Sequence, residues 1–460
     1  MKRIIAIALA GALGLTGLIV TNSKHSNVPV LKVANWAEYI DDGTESGTPM
    51  IERFEAWYKE QTGDEIRVEY SIADDNEILY NLLRMGDTFD LICPSEYMLM
   101  KLAVEGYIQK LPASFYDETN PNNHYIRNVS PFILKTFTEN DIQGTPWKEY
   151  AAGYMWGTTG FVYNPETVSE ADVSTWDIYH NPKVYKRITA KNNIRDTYFV
   201  GLAMYYDSQL RSLKQQYADG ILTLREYNTQ LGNLMNDVSH ETMNNTKNVL
   251  SGITNNLYGF ETDEGKHNTI SGKVAVNYQW SGDAVAILDE AEGLYEEELD
   301  ENFVPLYLQY CIPETVSNLW FDGWTLTKDC KNVEAATMFI NFLSIPENVV
   351  ANMSYIGYTS CIGNKEVFDS HVVENYAAED DDKTAVTYDL NYYFNPNYKR
   401  DDPTTRSDDY VFSTPFINTK RQLFAQYPQE TDLDRCVAMR YFDADANMRA
   451  NSMWSDITFF

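Results

Sequence analysis

Apolar positions along this chain alternate between two periods. From about Val30 onward, short β-branched runs are separated by stretches in which apolar residues recur every three or four positions, the pattern of α/β units. Leu31-Lys32-Val33-Ala34 predicts a first strand. Met50, Ile51, Phe54, Trp57 and Tyr58 then fall at helical spacing, and Gly63 marks the stop. The pattern predicts a strand over 66–72, a helix over 76–84 and a third strand over 89–93, with Ser95 placed to cap the helix that carries Tyr97 to Leu102. A second α/β section begins near Gly153 with the Gly-punctuated strand Met155 to Asn164. It continues with a strand over 274–279, and Ser281 is placed to cap a helix over 283–290. The Asn-rich stretch 244–256 and the acidic stretch 289–301 read as surface connections. The stretch 368–428, rich in Asp, Tyr, Asn and Pro, reads as an irregular insertion.

Aromatic residues and carboxylates recur together where the strand-like runs end. They do so in Asn35-Trp36-Ala37-Glu38-Tyr39, Pro94-Ser95-Glu96-Tyr97, Trp280-Ser281-Gly282-Asp283 and Trp320-Phe321-Asp322-Gly323. Open α/β sheets bind ligands beyond their strand ends. An aromatic face attracts an ammonium by about 0.5 to 2 kcal/mol, and a carboxylate adds a charge-assisted hydrogen bond. Helix N-termini at such sites carry partial positive charge and favour anions, so a cation there has to be held by side chains. Any single Trp or Tyr in these clusters could equally be core filling.

The 460 residues suggest two or three domains, and the net charge of -31 leaves no basic footprint for nucleic acid. Met1-Lys2-Arg3 followed by an apolar run from Ile4 to Val20 reads as an export signal or an N-terminal membrane anchor over residues 1–27. No small-x-small cleavage site closes the run, which favours the anchor, and either form puts the rest of the chain outside the cytoplasm. Five scattered cysteines suit neither a disulfide framework nor a zinc site, and Cys93 reads as a buried small hydrophobe.

Catalytic motifs are missing: the sequence has no His-Glu-x-x-His, no Gly-x-Ser-x-Gly, no EF-hand loop and no phosphate-binding glycine loop beyond the export segment. The six histidines are scattered and read as surface residues. No cofactor or metal is expected. Paired carboxylates with tryptophans also line glycosidase clefts, so composition alone leaves a carbohydrate-active hydrolase open beside a cation receptor.

The residues resemble those of the extracellular polyamine-binding proteins that feed spermidine and putrescine ABC importers. The likeness is carried by Asn35-Trp36-x-Glu38-Tyr39, Asp90-Leu91-Ile92-x-Pro94-Ser95-x-Tyr97, Trp156-Gly157-Thr158-Thr159-Gly160, Asn193-Ile194-Arg195-Asp196, Trp280-Ser281-Gly282-Asp283, Trp320-Phe321-Asp322 and Ile356-Gly357-Tyr358, in order over most of residues 31–366. The resemblance implies an α/β, two-lobed periplasmic-binding-protein clamshell with crossing hinge strands. One lobe would take 28–145 with 322–366, and the other 146–321 with 367–460. It implies a non-enzymatic receptor that hands putrescine or spermidine to ABC transporter permease subunits, in the periplasmic space or at the cell surface. Trp36, Tyr39, Trp280, Trp320 and Tyr358 match rings that enclose the polyamine. Ser95 and Tyr97 match polar contacts, and Asp196 and Asp322 match carboxylates that pair with amines. Asn193 stands where the family often has an aspartate, and Ala37 where it commonly has a hydroxyl residue. One fewer carboxylate favours a diamine, unless Glu38 or Glu96 compensates. A receptor for another organic cation, such as a quaternary amine, is an alternative on the same fold.

Overall fold

The computed structural model describes residues 28–262, 264–294 and 304–458. The apolar segment 4–20 lies outside them, and among the described residues no helix is long and apolar enough to cross a membrane. The alternation of periods becomes a sequence of strands and helices: β1 (Val30–Asn35), β2 (Arg67–Ile72), β3 (Leu91–Ile92), β4 (Ala151–Tyr163), β5 (Ile188–Lys191), β6 (Leu257–Glu261), β7 (Val276–Trp280) and β8 (Ser317–Thr327). They lie in the order β2-β1-β3-β8-β4-β7-β5-β6 along one sheet. β1 pairs in parallel with β2 and β3, and β5 pairs in parallel with β6 and β7. Between these parallel halves run β4 and β8, antiparallel to each other and paired from Leu319↔Thr158 to Thr325↔Ala151.

This arrangement is two-lobed, and β4 and β8 are the connections that cross between the lobes. Every residue of both strands is buried. Their central placement explains why apolar and small residues predominate in both, because a strand covered on both faces has no solvent side for polar positions, and Asn318 and Asp322 on β8 depart from that rule. The buried apolar residues fall into two clusters. One gathers Leu31, Val33, Phe54, Leu91, Trp156, Phe321 and Trp324, and the other Phe161, Trp176, Phe199, Tyr278 and Leu250.

Helix ends follow the local signals in most places. Helix α1 (Met50–Thr62) stops at Gly63, which takes the left-handed conformation with φ 80°, and Asp75 caps α2 (Asn76–Met85) by accepting from the Ile78 amide. Two serines behave differently. Ser95 precedes α3 (Glu96–Val104) and Ser281 opens the helix Ser281–Glu292, yet neither hydroxyl caps its helix. Ser95 donates to Asp322 and Ser281 accepts from the Thr158 amide, so tertiary partners outcompete the local cap.

Parts of three stretches take regular structure that their composition does not suggest, residues 295–301 lying outside the described residues. Residues 240–253 form a helix capped by Ser239, which buries Met243, Thr246, Leu250 and Ile253 at helical spacing. It lies so close to the helix Ile194–Tyr205 that a Cβ on Gly201 would stand 2.4 Å from Thr246 Cγ2. Asp289 is not in a surface connection: it is buried within the helix Ser281–Glu292 and accepts from Gln422 at 2.8 Å. Within 368–428, Ala385–Asp389 and Val411–Pro415 pair as antiparallel strands. Tyr393 stacks on Trp156 and its carbonyl accepts from Ser130 Oγ at 2.7 Å, while Gln422 reaches Asp289, so this segment touches residues on both sides of the 145/146 division. His371, read as a surface residue, is buried beside Gln426. All five cysteines are free thiols, Cys93 among the buried ones.

Candidate functional site

Asp322 sits where the β4–β8 register shifts, between Asp322 and Gly323. Such a bulge turns one side chain out of the regular alternation. Here it brings the carboxylate to the ends of β1 and β3, where Tyr39 Oη donates to Oδ2 at 2.7 Å and Ser95 Oγ to Oδ1 at 2.7 Å. Ser95 is held in turn by Asn76, whose amide nitrogen donates to Oγ at 3.0 Å. Trp36 also lies near enough to favour the ionised form of Asp322. The loop that delivers Trp36 and Tyr39 turns through Glu38, a non-glycine residue at φ 52°. No ion pair involves Asp322 among the described residues.

Rings lead away from this carboxylate. Tyr39 meets Tyr358 edge to face at 5.6 Å between centroids, and Tyr358 lies 5.3 Å from Trp320. Tyr358 Oη donates to Asp283 Oδ1 at 3.1 Å. The ring packs directly on the backbone of Gly282, where a Cβ would fall 1.5 Å from Tyr358 Cδ1, so only glycine fits there. Beyond Asp283 lies Lys191, whose ammonium stands 4.0 Å from Asp283 Oδ2 and 3.6 Å from the centroid of the Trp280 ring. Trp280 Nε1 donates to Asp196 Oδ1 at 3.3 Å. Asn193 caps the helix Ile194–Tyr205: its side-chain oxygen accepts from the amides of Arg195 and Asp196. Tyr97 reaches Glu77 through its hydroxyl, and the Arg195 guanidinium lies over its ring at 4.6 Å.

Through Asp283 and Lys191 the expected residues are linked into one connected chain, Asp322–Tyr39–Tyr358–Asp283–Lys191–Trp280–Asp196, with Trp36, Ser95 and Trp320 beside it. Asn193 and Tyr97 border its far end through the helix Ile194–Tyr205. Lys191 and Arg195 were not expected as site residues. Lys191 ends the otherwise uncharged strand Ile188–Lys191, and a lysine that closes a buried strand is the one sequence signal that could have marked it. Asp283 stands inside a recognised motif, but nothing in its spacing revealed that Tyr358 would reach it.

Glu96, Asp196 and Asp283 each occupy the first turn of a helix, where the N-terminal dipole favours a carboxylate. Burial opposes this. It pushes the Glu96 carboxyl up to about 8, against the hydrogen bond it accepts from the Phe321 amide. Glu96 is thus protonated at neutral pH and supplies no charge, and Glu38 is exposed, so neither replaces the carboxylate that Asn193 lacks. Burial also raises Asp196, with Lys191 and Trp280 opposing the rise. Asp322 is pushed up to about 6 by burial, although Ser95, Tyr39 and Trp36 all favour its ionised form.

A pH dependence follows with a definite sign. The folded carboxyl of Asp322 titrates near 6 against an ordinary 3.8, so between these values the native state holds the extra proton. Its contribution to the stability of the empty protein is full below about 4 and is lost as pH rises through about 6. Comparing unfolding midpoints of wild type and Asp322→Asn from pH 4 to 7.5 should show the wild type losing ground relative to the variant. Parallel profiles would contradict the assignment. A cation that pairs with the ionised form should bind about tenfold more weakly per pH unit below 6.

A cavity of about 680 Å³ lies elsewhere, bordered by Glu170, Lys214, Glu314, Lys420, Asp432 and Arg435. Its charges pair with one another, Lys214 with Glu314, Lys420 with Glu170 and Arg435 with Asp432, and none of the site residues lines it. Chemistry rather than volume marks the residues around Asp322.

Comparison with known proteins identifies the family and supports the fold. The family described as bacterial extracellular solute-binding protein matches residues 50–379. The chain is similar to the putrescine-binding periplasmic protein SpuD of Pseudomonas aeruginosa, 27% identical over 342 residues that cover 73% of this chain and 79% of that protein. It is also similar to the putrescine-binding periplasmic protein PotF of Escherichia coli, 25% identical over 334 residues, 70% of this chain and 75% of that one. The crystal structure of the spermidine/putrescine ABC transporter substrate-binding protein PotD from Streptococcus pneumoniae shares the fold, with a TM-score of 0.58 at 23% identity over 93% of this chain and 98% of that one.

Proposed function

This chain belongs to the bacterial extracellular solute-binding proteins, and we propose that it captures a polyamine, with putrescine the leading candidate, for delivery to the permease subunits of an ABC importer. Members of this family bind solutes for transport and are not enzymes, which removes the carbohydrate-active hydrolase reading. The observation that carries the polyamine reading is the buried Asp322 carboxylate. It is oriented by Tyr39 and Ser95, walled by rings, and has no ion-pair partner among the described residues. A carboxylate buried without a cation is costly, and an ammonium guest removes that cost.

In this reading Asp322 pairs with one ammonium, while Trp36, Tyr39, Trp320 and Tyr358 enclose the methylenes and face the charge. Trp280 and Asp196, with Asn193 and Tyr97 nearby, form the other end. The lobes would divide at about 145/146, 321/322 and 366/367, with 367–460 in the second lobe but also touching the first through Ser130 and Tyr393. Closure of one lobe on the other would bury the guest, since each lobe supplies part of the wall. Tethering through residues 1–27 would keep the receptor beside its permease.

Thermal unfolding with putrescine, spermidine, spermine, choline and an oligosaccharide tests the assignment, because a ligand that binds the native state raises the midpoint by mass action. Putrescine or spermidine should raise it at sub-millimolar concentration. No shift with any polyamine at millimolar concentration would remove the reading, and a shift with choline alone would reassign the cleft to quaternary amines.

A further inference from the structure

Lys191 occupies an unusual place for a lysine. Its side chain is 1% exposed, and its ammonium lies 3.6 Å from the centroid of Trp280, donates to Gln279 Oε1 and stands 4.0 Å from Asp283 Oδ2. Its charge also acts on Asp196, the carboxylate that Trp280 Nε1 contacts. An aromatic face, a neutral acceptor and two carboxylates are what an ammonium needs on leaving water, and here the protein's own ammonium has them.

The two ends of the cleft therefore differ in charge. At one end Asp322 has hydroxyl partners and no cation among the described residues. At the other, Asp283 already meets Lys266 at 2.9 Å as well as Lys191, and Asp196 already faces Lys191. A second ammonium brought to Trp280 would meet a fixed like charge in a low-dielectric site, where repulsion is felt far more strongly than in water.

We propose that Lys191 is a specificity-determining residue: its ammonium fills the cation seat at Trp280, so that the cleft selects a diamine and rejects a triamine. The inference rests on the polyamine reading of the same site. A short diamine places one ammonium at Asp322 and its other end short of Lys191. A longer triamine has to drive a further positive charge against the buried lysine.

Titration of putrescine and spermidine into wild type, Lys191→Met and Lys191→Gln tests the idea. Methionine keeps an unbranched stem and removes the charge, and glutamine keeps a polar end should methionine fail to fold. Wild type should favour putrescine. In the folded variant the spermidine-to-putrescine affinity ratio should rise at least tenfold, while Lys191→Arg should keep the wild-type preference. A purely structural role would weaken both ligands together and leave the ratio unchanged, and a ratio within threefold of wild type in a folded variant overturns the proposal. Binding of neither amine to any of these proteins would instead overturn the polyamine reading itself, and the specificity role with it.

Discussion

Replacing Asp322 by alanine is expected to weaken putrescine binding by about 30-fold to more than 1,000-fold. Truncating one partner of a buried, hydrogen-bonded charge pair costs about 2 to 5 kcal/mol, and each 1.4 kcal/mol is tenfold in affinity. The geometry argues for the upper part of that range. Tyr39 and Ser95 both aim their hydroxyls at this carboxylate at 2.7 Å, and Asn76 fixes Ser95 from behind. Removing Asp322 deprives the ligand of its counter-charge and leaves two oriented donors without an acceptor. Asp322→Asn separates the two losses, since it retains a polar group of similar size without the charge. Both variants should lose most of the affinity in calorimetric titration at neutral pH while remaining folded, because the empty protein bears the cost of desolvating Asp322. Affinity within threefold of wild type in both would place the cation elsewhere.

Trp156→Ala should have the opposite profile, a large loss of stability with little change in recognition. Trp156 is fully buried on β4 and stacks on Tyr393 at 5.4 Å with an interplanar angle of 20°. It also packs against Phe132 at 5.3 Å and donates its indole N–H to Tyr393 Oη at 2.7 Å. Large-to-small substitution of a buried tryptophan costs about 3 to 5 kcal/mol through lost transfer energy and the cavity left behind. The substitution also frees the segment around Tyr393 from the crossing strand. Urea unfolding should show a clearly lower midpoint, with the putrescine dissociation constant of the remaining folded protein within about threefold of wild type. A selective loss of binding with unchanged stability would mean that Trp156 belongs to the cleft wall.

Much of this division between core and cleft was legible in the chain itself. Strand ends carry the chemistry in α/β folds, and the aromatic-acid clusters at Trp36, Ser95, Trp280 and Asp322 do lie at or just beyond the ends of β1, β3 and β7 and on the crossing strand β8. What remained hidden depends on contacts between distant residues. The bulge that turns Asp322 toward Tyr39 arises from the pairing of β4 with β8, and no local spacing announces it. Ser95 and Ser281 carry the signature of helix caps, but their hydroxyls serve Asp322 and Thr158 across more than 100 residues of sequence. Lys191 and Trp280 come from parallel neighbouring strands, so their encounter is a matter of register. The Asn-rich residues 244–256 looked like a loop because asparagine is a weak helix former. Packing of Met243, Thr246 and Leu250 outweighs that propensity.

The charge asymmetry of the cleft follows from the same long-range contacts. Glu96 is neutral because its carboxyl is buried, and Asp196 and Asp283 are already engaged by lysines. On the proposed polyamine reading, that leaves Asp322 as the carboxylate on which capture would depend. The most direct measurement is a crystal structure of the protein grown with saturating putrescine at neutral pH. The account predicts an ammonium nitrogen at about 3 Å from the Asp322 carboxylate, with the methylenes lying against Trp36, Tyr358 and Trp320. Density for the diamine outside this cleft, or its nitrogen turned away from Asp322, would contradict it.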